Sequence, residues 1–181
     1  MARIEDKLPQ NLTLKTQKLF IGSQICLRIA TIATTMAAMW LALTSKQSVA
    51  LFGFVLEARY NYSPAFQFFA FANAIACVFS LLSLFFVVMI ARQAFIPNKC
   101  FILFLHDLVM MSLVLAGCAA ATAIGYVGKY GNSHSGWMPV CDHFGKFCKR
   151  MTASLILSYL AFFALLVLTI TSAIKSRHIQ V

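Results

Sequence analysis

Arg28 and Asp107 each stand inside a long apolar run of this 181-residue chain, where charge is costly. Near the centre of a spanning helix either side chain costs about 2.5 to 3.5 kcal/mol on an insertion scale, so neither is expected to face lipid. Facing each other, they can form two parallel guanidinium–carboxylate bonds that offset much of that cost. The pair could serve as a substrate or proton site, or as a clamp between helices. The clamp is preferred, because a transporter usually carries more polar groups and a broken helix. His106 adjoins Asp107 but is set about 100° around the helix from it, and reads as a packed or interfacial histidine rather than a relay partner. Asn73 reads as an amide bonded to a neighbouring helix.

Cysteine offers a second chemistry. Cys141 and Cys148 are the two cysteines of a polar loop, and a disulfide between them persists only in an oxidising, extracellular setting. Zinc is the alternative, with His134 and His143 as further ligands, but the spacing matches no common zinc site, and no metal is assigned. Cys26, Cys77 and Cys118 read as packing residues within helices. Cys100, at the start of the third run, is placed for reversible palmitoylation. Asn61-Tyr62-Ser63 is a formal glycosylation acceptor but abuts Pro64 and a helix start, so it is expected to stay unmodified. Asn11-Leu12-Thr13 also matches, on the side read below as cytosolic. Neither a Ser-His-Asp, a His-Glu-x-x-His nor a P-loop pattern occurs, so no catalytic residue and no cofactor is assigned.

The elements that must position these residues are four apolar runs, Leu19 to Leu43, Ala65 to Ala91, Phe101 to Val127 and Met151 to Ile174. Each is long enough to cross a hydrocarbon core of about 30 Å, which takes roughly 20 residues. The chain is 61% hydrophobic and 11% charged, more apolar surface than a soluble domain of this size could hide. The fold class is therefore all-α, an integral membrane four-helix transmembrane bundle. Residues 1–18 form a cytosolic tail, 19–174 the bundle and 175–181 a second cytosolic tail. The net charge of +10 sits at the ends of the runs, which points to lipid headgroups and away from nucleic acid.

Orientation follows from the flanking cations. Arg3, Lys7, Lys15 and Lys18 precede the first run, and Lys46 and Arg59 follow it, which puts both termini in the cytosol. The loop from Gly128 to Arg150 runs against that rule, with Lys129, Lys146, Lys149 and Arg150 outside. In this topology the first and third helices both run outward, and Arg28 and Asp107 lie at matching depths of roughly 10 to 14 Å. Small residues recur at four-residue spacing: Ala30, Thr34, Ala38 and Ala42, then Ser112, Ala116 and Ala120. A further row, Gly117, Ala121 and Gly125, supplies a helix-packing face. One face can pack within the bundle and the other against a second copy.

An arginine in the first span and an aspartate in the third resemble the Casparian strip membrane domain protein-like family of plants, itself similar to the MARVEL-domain proteins. Glu57-Ala58-Arg59-Tyr60-Asn61-Tyr62-Ser63-Pro64-Ala65-Phe66, running into Phe71-Ala72-Asn73-Ala74-Ile75-Ala76, looks like that family's first outer loop and second helix. Trp137 and the Cys141 to Cys148 segment look like its second outer loop. The resemblance implies a plasma-membrane scaffold that forms homo-oligomers, or hetero-oligomers with family members, and recruits cell-wall-modifying enzymes. The lignification role of the founding members is not carried over, because their first-loop signature is not evident here. The alternative is a small transporter or channel using Arg28, Asp107, His106 and Asn73.

Overall fold

In a computed structural model, residues 7–51, 54–92 and 97–180 are described, with side chains over 18–50, 54–89 and 101–177. Four long helices account for most of them: α1 (Lys7–Leu43), α2 (Pro64–Arg92), α3 (Pro97–Tyr130) and α4 (Gly145–Gln180). Within these helices, four apolar stretches of 26, 26, 30 and 33 residues are long enough to cross a membrane. At 1.5 Å per residue even a 26-residue stretch spans about 39 Å, beyond the hydrocarbon core. The chain is a multi-pass membrane protein built as an all-α four-helix bundle.

The packing forms a ring, α1 on α2, α2 on α3, α3 on α4 and α4 back on α1. Phe69, Val114, Cys118, Leu165 and Leu168 fill its middle, while Phe71, Phe85, Phe86, Ile102 and Phe163 point outward. Bilayer supplies no hydrophobic drive between helices, so small residues and polar bonds must hold the ring together.

Helices run past the apolar segments because backbone bonding continues where side chains turn polar. α3 reaches Tyr130, where Gly131 at φ +70° lets its amide bond back to the Val127 carbonyl at 2.7 Å, a left-handed C-terminal cap. α4 starts at Gly145 rather than near Met151, so Cys148 lies on the helix and not in a loop. The α1–α2 connection also departs from a plain loop. Strands β1 (Lys46–Leu51) and β2 (Phe54–Arg59) pair antiparallel, with Lys46 opposite Arg59 and Leu51 opposite Phe54. Along β1, Gln47 and Val49 are partly covered and Lys46, Ser48 and Ala50 exposed, the two-residue alternation of a half-covered strand.

Candidate functional site: a polar network through the bundle

Arg28 and Asp107 are both 0% exposed and meet across a diagonal of the helix ring. Arg28 Nη1 donates to Asp107 Oδ1 at 2.8 Å and Nη2 to Asp107 Oδ2 at 2.7 Å, a two-bond fork. Nη1 also donates to Ser83 Oγ at 2.6 Å on α2, and Nη2 lies 3.4 Å from Gln24 Oε1, one turn back on α1. Gln24 Nε2 in turn donates to Thr171 Oγ1 on α4 at 2.8 Å. One continuous network thus ties all four helices at a single level. Its charges cancel pairwise, as a low-dielectric interior requires.

The second diagonal is spanned roughly 16 Å further along α3, with neutral groups. Ser158 Oγ on α4 donates to Asn73 Oδ1 on α2 at 2.8 Å, and Cys118 Sγ on α3 donates to Ser158 Oγ at 3.2 Å. Asn73 Nδ2 turns back to the Phe69 carbonyl at 2.9 Å, so the buried amide has partners at both ends. Beyond it, Ser154 Oγ bonds to the Ala38 carbonyl at 2.6 Å, joining α4 to α1. Polar side chains at several depths thus bond from one helix to another and fix the register of the ring.

His106 behaves differently from its position on the helical wheel. Its Nδ1 lies 3.1 Å from Asp107 Oδ1, because the ring folds back toward the carboxylate beside Phe79 at 6.1 Å. A 100° offset in Cα direction does not separate side chains long enough to bend across it.

The small-residue rows sort by exposure. Each four-residue step overshoots a helical turn by about 40°, so a strict row winds from one face to another. Ala30 is exposed while Ala38 and Ala42 are fully buried. Gly117 and Ala121 are buried inside the bundle: a Cβ on Gly117 would lie 3.0 Å from Ala72 Cβ and 3.4 Å from Phe69 Cα. This row is where α2 and α3 approach each other, and it is closed to a second copy. Gly125, further along, is half-buried with nothing near its missing Cβ. The outward row is Ser112 and Ala116, both exposed, ending on half-buried Ala120.

At the hairpin end, Cys141 and Cys148 are joined in a disulfide, with Cα atoms 5.8 Å apart. Each sulfur is therefore committed to the other and neither is a zinc ligand. Asn61 is exposed on the 3-10 turn Tyr60–Tyr62, and its carbonyl accepts from Gln67 Nε2 at 2.6 Å. Cys77 and Cys118 are buried and Cys26 is exposed on α1. Cys100 lies on α3, with its side chain outside the described residues, as is that of Asn11 on α1; Arg3 lies outside them altogether.

The Casparian strip membrane protein domain matches residues 17–164, which takes in the Arg28 and Asp107 fork, the hairpin and the disulfide. The chain belongs to the Casparian strip membrane protein family. Among its relatives in that family, CASP-like protein 1F2 of Populus trichocarpa and CASP-like protein 1F1 of Ricinus communis are each 60% identical to it over the full length of both chains. CASP-like protein 1F1 of Arabidopsis thaliana is 35% identical, covering 91% of this chain and 95% of that one. No solved structure matches this chain.

Proposed function

We propose that this protein is a non-enzymatic scaffold of the plasma membrane, which self-associates to organise a patch of bilayer and has both termini in the cytosol. The observation that carries this reading is that the charged pair is closed. Arg28 and Asp107 are 0% exposed, neutralise each other in a fork and are linked, through Ser83 and through Gln24 to Thr171, to the other two helices of the ring. A substrate site would need to open that fork, with two charges left apart in a medium of low dielectric.

Assembly needs an outward surface instead, and the bundle has one. Ser112 and Ala116 on α3 allow close approach of a helix from a second copy or from a related family member, with the bilayer as the solvent for that contact. Recruitment of cell-wall-modifying enzymes by the exposed ends of such an assembly completes the proposed role.

The alternative is a small transporter, and flux separates the two. Purified protein in proteoliposomes under a pH gradient should show no saturable flux above empty vesicles, while chemical cross-linking in the same membranes should yield ladders of multimers. Saturable flux that is lost in Asp107→Asn, with no cross-linked species, would make the protein a transporter.

A further inference from the structure

The end of the bundle that carries the hairpin and the disulfide holds more basic charge than its own packing uses. Lys46, Arg59, Lys129, Lys146, Lys149 and Arg150 stand there against Glu57 and Asp142. All but Lys129 gather at the junction of the hairpin with α4. Lys46 and Arg59 are direct partners across the strands. The Phe147 amide donates to Gln47 Oε1 at 2.9 Å, and Arg150 Nη1 donates to the Thr44 carbonyl at 3.1 Å. These bonds seat the start of α4 beside the foot of β1. Lys149 and Arg150 stand three and four residues after Lys146, so each neighbours Lys146 on the helix surface. All five cations are exposed, and among the described residues only Arg59 has a carboxylate partner, Glu57 at 2.8 Å.

Within the chain this arrangement is unfavourable on three counts. Lys46 opposite Arg59 is a like-charge pair on facing strands. Cations in the opening turns of α4 oppose the positive end of its dipole, and no acidic residue occupies the first turn. With the termini inside, these residues also break the bias of basic loops toward the cytosol. A partner of opposite sign would offset all three effects.

We propose that this patch binds an extended polyanion, a polysaccharide chain bearing repeated carboxylates, at the outer face of the membrane; the inference rests on the outward placement of this end. The cations are exposed, and on the helix Lys146 stands about 5 to 6 Å from each of Lys149 and Arg150, which suits a chain of repeating charges. Anionic lipid headgroups, the other candidate, are concentrated in the cytoplasmic leaflet, on the opposite side.

The test uses the full-length protein in nanodiscs of zwitterionic lipid, with polygalacturonate as the probe and its fully methyl-esterified, uncharged form as the control. A Lys46→Gln, Lys146→Gln, Lys149→Gln variant leaves the Arg59–Glu57 and Arg150–Thr44 contacts in place. The wild type should bind the acid polymer and not the ester, and the triple variant should bind about tenfold more weakly, the sum of three weak exposed ion pairs. Equal binding by the variant, no binding to the polymer, or binding confined to phosphatidylserine vesicles overturns the proposal, and none of these readings depends on topology. Sidedness is read separately in intact cells. A Lys146→Cys variant should be labelled there by a membrane-impermeant maleimide; labelling only after permeabilisation overturns the orientation, and the polysaccharide as occupant, even where the nanodisc binding holds.

Discussion

Arg28 and Asp107 share two hydrogen bonds of 2.8 and 2.7 Å while lying on helices that face each other across a diagonal of the ring. The fork therefore spans the bundle interior, and both neighbouring helices are drawn in through Ser83, and through Gln24 to Thr171. Removing one partner strands a buried charge. Arg28→Met or Asp107→Leu alone should cost about 3 to 5 kcal/mol, and the double variant should recover a large part of that loss. Folded yield and thermal unfolding in detergent measure both; simple addition of the two losses would mean that the residues are uncoupled.

The second diagonal is neutral and should be worth less. Ser158→Ala removes a donor to Asn73 and an acceptor for Cys118, and interhelical bonds of this kind in membranes average about 0.6 kcal/mol. A shift of a few degrees in thermal unfolding is expected, against near-total loss of folded protein for the single Arg28 variant. Equal effects would place the bundle's specificity in neutral polar contacts rather than in the ion pair.

Gly117 and Ala116 are neighbours in sequence with opposite fates. Leucine at Gly117 has to displace Ala72 and the Phe69 backbone, overpacking that costs about 1 to 3 kcal/mol and should lower the melting temperature. Leucine at Ala116, which is exposed, should leave unfolding unchanged and act on self-association alone. Thermal melts of the two variants check this directly; matched melting temperatures would mean that α2 and α3 do not pack on Gly117.

The disulfide closes a separation of seven residues and should contribute about 2 to 3 kcal/mol in the chain-entropy model. In intact cells a membrane-impermeant thiol reagent should label Cys148 only after reduction. Labelling without reductant would remove the disulfide, and labelling confined to the cytosolic side would reverse the topology.

Much of this was legible in the sequence, for physical reasons. Crossing a bilayer demands long unbroken apolar runs, and each of the four is visible as such. Arg28 and Asp107 stand out because charge is rare in those runs. The hairpin was not legible: Lys46 to Leu51 mixes polar and apolar residues, and Phe54-Val55-Leu56 reads as a short apolar run, so neither strand shows an apolar–polar alternation in sequence, and the cover on one side of β1 comes from its contact with α4. The helix ends were displaced because hydropathy senses lipid, whereas helical bonding continues through Gly145 to Arg150. The sequence also offered no means of choosing between the Ser112 and Gly117 rows, since both are small and run one residue apart, Ala116 beside Gly117 and Ala120 beside Ala121. Ala72 and Phe69, on another helix, decide it.

Lateral mobility tests the scaffold most directly. Photobleaching recovery of a fluorescently tagged protein in a plant plasma membrane should be slow and incomplete for the wild type, and faster for Ser112→Leu with Ala116→Leu, while surface delivery stays the same. Rapid, complete recovery of the wild type, equal to that of a monomeric four-span protein, would contradict self-association, and with it the proposed role.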